Sequence, residues 1–310
     1  MSSIGTRTTD ILVIGCGAAG MAAAAAAASC GAKVILADDR ARPGGILPQC
    51  VHSGFGLGRY GNEMTGPEYS EKEFRRFEKT SAVYLPGTRV LEIRPDRTAL
   101  AAGYGEITVV SFSECVIAAG CTEKTLWSLP VPGTRPEGIY TAGEAQELIE
   151  LGGRDVGKRI FILGSGDIGQ IMARRFCQLG KTVAGMAESG DHLGGMKRNQ
   201  EECIKAFDIP VMLHSTVTRI HGYPCLEGVT VHHSDTGKDE YVECDTLITA
   251  LGLLPDRSLA EDLVKEGGYP EWLHFCGNAD YVHEIADGAS AQGEKLGLEL
   301  AQKLIRRKEV

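Results

Sequence analysis

One pattern occurs twice in this chain of 310 residues and restricts its fold more than any other feature. Residues 11–20 read ILVIGCGAAG and residues 160–169 read IFILGSGDIG, so each copy is an apolar strand that runs into the motif GxGxxG. In both copies the motif is followed by a segment with helical spacing and then by a second strand. That strand is followed by an acidic residue, Asp38 in the first copy and Glu188 in the second, and then by a Gly-Gly pair. The repeat predicts two units of the same α/β architecture.

The three glycines of the motif have separate tasks at a strand–turn–helix junction. The first permits the tight turn, the second lets the backbone approach a pyrophosphate at the positive end of the helix, and the third allows the helix to pack against the sheet. The acid about 20 residues later is suited to accept hydrogen bonds from a ribose diol. We therefore predict that each unit binds a dinucleotide, one held permanently and the other exchanged.

The acid of the second copy bears on which nicotinamide dinucleotide is used. A carboxylate at Glu188 repels a 2′-phosphate, and the neighbouring Ala187 and Ser189 offer no arginine to receive one. The sequence therefore favours NAD(H) over NADP(H). Lys197 and Arg198 follow within ten residues, so NADP(H) remains an alternative.

Composition excludes several classes of protein. The net charge is −9 and no Lys/Arg run is interleaved with aromatic residues, which argues against a nucleic-acid surface. No apolar stretch approaches the roughly 18 residues of a membrane span. The ten cysteines form neither CxxC nor CxxxxC, so we expect no metal site and no local redox disulfide. Many unpaired thiols favour a reducing, cytoplasmic location.

Segments of both units resemble the two-dinucleotide flavoprotein oxidoreductases, the pyridine nucleotide-disulfide oxidoreductase superfamily to which thioredoxin reductase and NADH oxidases belong. The resemblance is carried by GCGAAG at 15–20, Asp38, Gly44-Gly45, VIAAG at 116–120, GSGDIG at 164–169, LITALGLLPD at 247–256 and FCGNAD at 275–280. It implies two Rossmann-like three-layer α/β domains. A discontinuous FAD domain, residues 1–121 and 248–310, would enclose an NAD domain, residues 122–247.

The resemblance also implies which residues hold each cofactor. For FAD these are Gly15, Gly17, Ala18, Ala19, Gly20, Asp38, Asp39, Gly44, Gly45, Ala119, Gly120, Gly277, Asn278 and Asp287. For NAD they are Gly164, Gly166, Asp167, Ile168, Gly169, Glu188 and Gly252. Asn278 stands where the family usually has an acid beside the ribityl chain. Asp287 lies at the start of a helix expected over 286–305, which in the family points its positive end at the flavin, and its alternative role is an ordinary helix N-cap.

The absence of a cysteine pair at the positions used by disulfide reductases restricts how electrons can leave the flavin. Thioredoxin reductases carry CxxC just before the GxGxxG of the nicotinamide domain, where this chain has Thr141–Glu144, and glutathione reductase relatives carry CxxxxC after Gly-Gly, where only Cys50 follows. A dithiol relay is therefore not expected. Electrons would leave the flavin directly, to oxygen, to a quinone or small acceptor, or to the cofactor of a partner.

Three longer segments resemble a subgroup of that family. GGILPQCVHSGFG (44–56), PGTRPEGIYTAGEAQ (132–146) and GSGDIGQIMARR (164–175) are similar to FAD/NAD subunits found with glycerol-3-phosphate-dehydrogenase-like flavoproteins, opine oxidase, hydroxyproline dehydrogenase and hydrogen cyanide synthase. This implies an oligomeric electron-transfer subunit that serves a dehydrogenase flavoprotein, with any iron–sulfur centre on another subunit. The alternatives are a stand-alone NADH oxidase that forms peroxide or reduces a small acceptor, and a scaffold that only binds FAD.

Cys50 and His52 are the candidate catalytic residues. In the superfamily the segment after Gly-Gly runs beside the flavin, so the resemblance implies that both side chains face it. A thiolate at Cys50, with its pKa lowered by His52, would react with peroxide or form a charge-transfer contact. The alternative is that Cys50 is a small buried apolar residue and His52 a hydrogen-bonded wall residue.

Overall fold

The computed structural model describes residues 4–308 of the chain. The chain forms two compact units, the first made of Met1–Thr122 with Pro255–Val310 and the second of Glu123–Leu254. The first unit is therefore assembled from two separate parts of the sequence, as predicted. The sequence predicts that the second part of the first unit begins at residue 248. In the structure it begins at Pro255, because Thr246–Thr249 is a strand in the sheet of the second unit.

The regular elements of the described residues are numbered here in chain order. The strands are β1 (Ile4–Thr8), β2 (Ile11–Ile14), β3 (Val34–Ala37), β4 (Ser53–Phe55), β5 (Met64–Thr65), β6 (Val83–Leu85), β7 (Thr88–Ile93), β8 (Thr98–Gly103), β9 (Glu106–Ser111), β10 (Glu114–Ile117), β11 (Cys121–Glu123), β12 (Ile139–Thr141), β13 (Arg159–Leu163), β14 (Thr182–Ala187), β15 (Val211–Met212), β16 (Ser215–His221), β17 (Gly228–His233), β18 (Lys238–Glu243), β19 (Thr246–Thr249), β20 (Leu253–Pro255) and β21 (Leu273–Phe275). The α-helices are α1 (Ala18–Ser29), α2 (Leu57–Tyr60), α3 (Gly66–Glu78), α4 (Ala142–Glu150), α5 (Asp167–Gln178), α6 (Lys197–Asn199) and α7 (Ala286–Lys308).

The main sheet of the first unit has five parallel strands in the order β21–β10–β2–β3–β6. All residues of β2, β3 and β10 are buried, as expected for short apolar strands of a parallel sheet covered on both faces. A second sheet, β1–β9–β8–β7, belongs to the same unit. Because β2 and β10 are adjacent and parallel, the turns that follow Ile14 and Ile117 meet at one edge of the main sheet.

Small side chains let two helices of the first unit approach closely. Ten consecutive residues of α1, from Ala19 to Ala28, are buried, so this helix has no solvent-facing side. On α7, Gly293 and Gly297 lie so near the carbonyl oxygens of Ala19 and Ala23 that a Cβ at either position would overlap them. The alanine-rich sequence of α1 is therefore a packing requirement of the helix layer.

A buried carboxylate attaches the far end of α7 to the sheet. Glu114, the first residue of β10, is fully buried and accepts hydrogen bonds from His274 Nε2 at 2.9 Å, Lys303 Nζ at 3.0 Å and Arg307 Nη1 at 2.9 Å. Burial raises the pKa of Glu114, but the hydrogen bonds and charges of His274 and Lys303 outweigh burial and hold that pKa below its ordinary value.

The second unit repeats the arrangement of the first. Its five parallel strands lie in the order β12–β19–β13–β14–β15, and α5 follows β13 as α1 follows β2. An antiparallel sheet, β16–β17–β18, completes the unit. The prediction of two α/β dinucleotide-binding units is thus confirmed at the level of the fold.

Candidate functional site

The two GxGxxG turns have the same backbone geometry. Gly15 and Gly164 have φ values of +104° and +100°, a region that residues with a side chain rarely adopt. A Cβ at Gly15 would overlap the carbonyl oxygen of Ala118, and a Cβ at Gly164 that of Ala250. Each turn therefore passes close to the end of the neighbouring parallel strand, and glycine is required for two reasons at once.

The helix that leaves each turn begins with N–H groups that no side chain caps. Gly17 is the N-cap of α1 and Gly166 the N-cap of α5, and neither helix has a side-chain hydrogen bond at its cap. A Cβ at Gly17 or Gly166 would have no heavy atom within 4 Å, so open space lies over both turns. Donor groups, a positive helix end and open space together fit a dinucleotide pyrophosphate in each unit.

The acid of the first unit lies against its own turn. Asp38 follows β3 and accepts hydrogen bonds from the backbone N–H of Cys16 at 2.5 Å and of Arg40 at 2.8 Å. Burial raises the pKa of Asp38, and these two hydrogen bonds offset only part of that effect. Asp39, also assigned to the site by the sequence, is half exposed and lies 3.3 Å from Arg89.

The acid of the second unit is arranged in the same way. Oε2 of Glu188 accepts hydrogen bonds from the N–H of Ser165 at 3.1 Å and from its hydroxyl at 2.5 Å, and Oε1 accepts one from Gly190 N–H at 2.9 Å. Burial raises the pKa of Glu188, but the donors on Ser165 and Gly190 outweigh it and hold the pKa below its ordinary value. Glu188 is therefore an ionised carboxylate near neutral pH.

Both Gly-Gly pairs contact the turn of their own unit, which the sequence analysis did not predict. Gly44 N–H donates to Cys16 O at 2.8 Å, and Gly194 N–H donates to Ser165 Oγ at 2.8 Å. In both units the pair therefore closes over the residue between the first two motif glycines. The common spacing in the two copies was the available signal for this contact.

In both units a glycine lies three residues after the end of the strand next to the turn: Gly120 follows β10 and Gly252 follows β19. Gly120, after the exposed Ala119, accepts a hydrogen bond from Asp256 N–H at 3.0 Å, and Gly252 accepts one from Lys124 N–H at 2.9 Å. These carbonyl groups are therefore engaged by the chain itself.

The segment after β21 is a connected polar network. Gly277 N–H donates to Gln292 Oε1 at 2.7 Å, and His283 Nε2 lies 2.9 Å from the same oxygen. Because an amide oxygen only accepts, His283 donates from Nε2. The side chain of Asn278 accepts from His283 N–H at 2.9 Å and donates to Cys121 Sγ at 3.5 Å. Asn278 thus holds its own loop in addition to any contact with a ligand.

Asp287 does not cap the helix in which it lies. The α7 helix begins one residue earlier, at Ala286, and the carboxylate accepts hydrogen bonds from Gly56 N–H at 2.9 Å, Gly58 N–H at 2.8 Å and Arg59 N–H at 3.1 Å. These amides belong to the start of α2, a segment about 230 positions away in the sequence. Asp287 therefore fixes the loop after the first Gly-Gly pair, which neither sequence interpretation anticipated.

Cys50 and His52 lie in that loop. Cys50 is buried, its Sγ is 3.4 Å from Ile46 O, and burial raises the pKa of its thiol to about 12. His52 Nδ1 lies 2.9 Å from Ser53 O, and its ring centroid is 5.2 Å from that of Phe55. The thiol is therefore neutral near pH 7, which favours the packing interpretation of Cys50 over a reactive thiolate.

A carboxylate lies at the start of α4, the position at which the resemblance places CxxC in thioredoxin reductases. Glu123 accepts hydrogen bonds from Thr141 Oγ1 at 2.5 Å and from Gly143 N–H at 2.9 Å, and Thr141 also caps α4 with Glu144. Within residues 4–308 no three His, Cys, Asp or Glu side chains are grouped to hold a metal ion. In the same range no helix has the length and apolar character needed to cross a membrane.

Two similar proteins match most of this chain. One of the subunits of opine oxidase from Agrobacterium tumefaciens (strain Ach5) is 25% identical over 277 residues, which cover 81% of this chain and 54% of that protein. Hydrogen cyanide synthase subunit HcnB of Pseudomonas protegens is 24% identical over an alignment of 319 positions, which covers 91% of this chain and 66% of that protein. The chain thus spans between about half and two thirds of the length of these relatives.

Solved structures share the fold at low sequence identity. Thioredoxin reductase of T. acidophilum superposes with a TM-score of 0.78 at 22% identity, covering 96% of this chain and 99% of the other. L-Proline dehydrogenase of P. horikoshii superposes with a TM-score of 0.66 at 16% identity, covering 98% of this chain and 57% of the other. These likenesses concern the fold alone.

A family match covers most of the chain. The family described as pyridine nucleotide-disulphide oxidoreductase matches residues 9–275, which include both GxGxxG turns, both acids and both Gly-Gly pairs. FAD and a nicotinamide dinucleotide are the cofactors of this family, and both turns fit a dinucleotide. The chain therefore belongs to the pyridine nucleotide-disulphide oxidoreductase family and is an FAD-dependent oxidoreductase.

Proposed function

We propose that this chain is an electron-transfer subunit that exchanges hydride between NAD(H) and FAD and passes electrons to or from a partner dehydrogenase flavoprotein. The observation that carries the proposal is the repeated dinucleotide site, in which Asp38 and Glu188 each accept a hydrogen bond from their own GxGxxG turn. FAD, when bound, supplies the hydride-accepting and electron-transferring chemistry.

In this proposal the first unit holds FAD. The N–H groups at the start of α1 bind the pyrophosphate, and Asp38 receives the adenosine ribose. Asp287 keeps the loop at Gly56–Arg59 in place after the first Gly-Gly pair, because its carboxylate accepts three backbone N–H groups of that loop. The other FAD contacts in the proposal are those of the first-unit residues Ala119, Gly120, Gly277 and Asn278.

The second unit holds NAD(H) in this proposal. The N–H groups at the start of α5 bind the pyrophosphate, and Glu188 receives the ribose hydroxyls. The donors on Ser165 and Gly190 keep Glu188 ionised, so a 2′-phosphate would meet a fixed negative charge. This electrostatic repulsion supports NAD(H) over NADP(H).

A separate partner is proposed because no dithiol stands at the positions used by disulfide reductases. Glu123 and Thr141 are hydrogen-bonded at the start of α4, and Cys50 is a buried neutral thiol. The relatives from opine oxidase and hydrogen cyanide synthase are both named as subunits, which supports a partner for this chain. None of the ten cysteines, all of which lie among the described residues, forms a disulfide, which supports the cytoplasmic location that belongs to the same proposal.

Purification of the chain with a tag from its native host tests the proposal. We expect a second flavoprotein to co-purify, NADH to bleach the flavin absorbance without air, and the isolated chain to reduce oxygen slowly. A chain that purifies alone and turns over NADH rapidly with oxygen, forming peroxide, is instead the stand-alone oxidase. A flavin that NADH fails to bleach contradicts both activities and leaves a binding scaffold.

A further inference from the structure

Gln170 is a fully buried polar residue in the second dinucleotide unit that neither the motif nor the proposed function uses. It directly follows GSGDIG in α5, and the residue in the same position of the first unit is Met21, which is also fully buried. Packing at this position is therefore satisfied by an apolar side chain of similar volume in one copy of the repeat. The amide of Gln170 needs another explanation.

The amide joins two separate segments of the second unit. Gln170 Nε2 donates to Ser165 O, in the GxGxxG turn, and to Gly194 O, in the Gly-Gly pair, with both distances 2.7 Å. Both acceptors are carbonyl groups, so the nitrogen must face them and both of its protons are used. Gln170 Oε1 has no hydrogen-bond partner among the described residues, although it is buried.

The segment 194–200, here called the strap, is tied to the turn at further points. Asp167 Oδ1 accepts hydrogen bonds from Met196 N–H and from Asn199 Nδ2, both at 2.7 Å, and Ser165 Oγ accepts one from Gly194 N–H. In the first unit the corresponding link is the backbone bond from Gly44 N–H to Cys16 O. The second unit thus uses side chains of its dinucleotide turn where the first unit uses backbone.

We propose that Gln170 is a positioning residue for NAD(H): it holds the strap against the turn that binds the pyrophosphate, so that the site is ordered before the dinucleotide arrives. The inference rests on the proposed binding of NAD(H) by the second unit. A buried acceptor without a donor is unfavourable, and an apolar residue such as Met21 would avoid it. The benefit of glutamine at this position is then the link between the two carbonyl groups, which methionine cannot form.

The test is the variant Gln170→Met in the FAD-loaded protein, titrated with NAD⁺ in a calorimeter. We expect the Kd for NAD⁺ to rise about tenfold, the size expected for loss of one or two hydrogen bonds that order the site. The KM for NADH should rise by the same factor, while kcat at saturating NADH and the flavin spectrum stay unchanged. The midpoint of thermal unfolding without NAD⁺ should change little, because methionine loses the two hydrogen bonds of the amide but also removes an unpaired buried oxygen.

Gln178→Met is the matched control, since Gln178 is exposed at the far end of the same helix and should leave the Kd unchanged. An unchanged Kd in Gln170→Met overturns the inference, whether or not the unfolding midpoint falls. If Gln170→Met does not fold, Asn199→Ala releases the strap at its other end and must raise the Kd as well. Wild-type protein that fails to bind NAD⁺ contradicts the proposed function, whereas equal binding by wild type and variant contradicts only the role of Gln170.

Discussion

Ser165 Oγ donates a hydrogen bond of 2.5 Å to Glu188 in the second unit, and the residue at the same place in the first unit is Cys16, which serves Asp38 only through its backbone N–H. The second acid thus receives one more donor from its turn than the first does. This difference agrees with the opposite directions of the two pKa shifts, down for Glu188 and up for Asp38.

Glu188→Gln removes the charge of the second acid and keeps its size. We expect kcat/KM for NADH to fall about tenfold, because an acceptor for the ribose hydroxyls is lost, and kcat/KM for NADPH to rise, because the repulsion of its 2′-phosphate is gone. The ratio of the two kcat/KM values is the measurement. Glu137→Gln, an exposed glutamate of the same unit, is the control, and an unchanged ratio in Glu188→Gln would argue against a role in selection.

Asp38→Asn tests the first acid. The two oxygens of Asp38 accept from Cys16 N–H and Arg40 N–H, and an asparagine must turn its NH₂ group toward one of these donors. We expect at least a tenfold weaker affinity for FAD, seen as a lower flavin-to-protein ratio after dialysis. Asp262→Asn, an exposed aspartate of the same unit, should retain its flavin, and full retention by Asp38→Asn would contradict the assignment.

The thiols should differ sharply in reactivity. Burial raises the pKa of Cys50 to about 12, so its thiolate is scarce at pH 7 to 8, whereas Cys30 and Cys225 are exposed. Brief treatment of the folded protein with iodoacetamide should therefore label Cys30 and Cys225 and leave Cys50 unlabelled, as read by peptide mass spectrometry. Rapid labelling of Cys50 at pH 7 would restore the hypothesis of a reactive thiolate.

Glu114 makes the free energy of unfolding depend on pH. Its pKa is lowered in the folded protein, so the stabilisation is present above the unfolded value of 4.5 and is lost as pH falls through the lower folded value. Glu114→Gln should therefore reduce the free energy of unfolding at pH 7 by about 2–4 kcal/mol, because His274, Lys303 and Arg307 lose their shared carboxylate. Urea unfolding at pH 7 and below pH 4 is the measurement, and a difference that does not shrink in acid would contradict this account.

The sequence predicted the parts of the fold that depend on local chain geometry. Gly15 and Gly164 could be identified because a tight strand-to-helix turn demands glycine whatever surrounds it. The two acids could be identified because their spacing from the turn is fixed by one helix and one strand. The helix expected over 286–305 is present as Ala286–Lys308, since its spacing is periodic over many turns.

The features that the sequence did not predict depend on distant segments. The carboxylate of Asp287 binds the loop at Gly56–Arg59, and no local pattern connects positions so far apart. No sequence pattern marks the role of Gln170, because its partners are backbone carbonyl groups, which every residue has. An alignment of the two repeats supplies a signal, since it pairs Gln170 with Met21 and so marks a polar residue at an apolar position.

The discontinuous first unit has a consequence for the order in which the chain folds during synthesis. Glu123–Leu254 forms a compact unit of consecutive residues, so it can fold as soon as it leaves the ribosome. The first unit must wait for β21, an edge strand of its main sheet, and for α7, which covers the alanine-rich α1. Until then the nascent chain carries an apolar helix and an unpaired strand edge, and it is in this interval that a chaperone would be needed most.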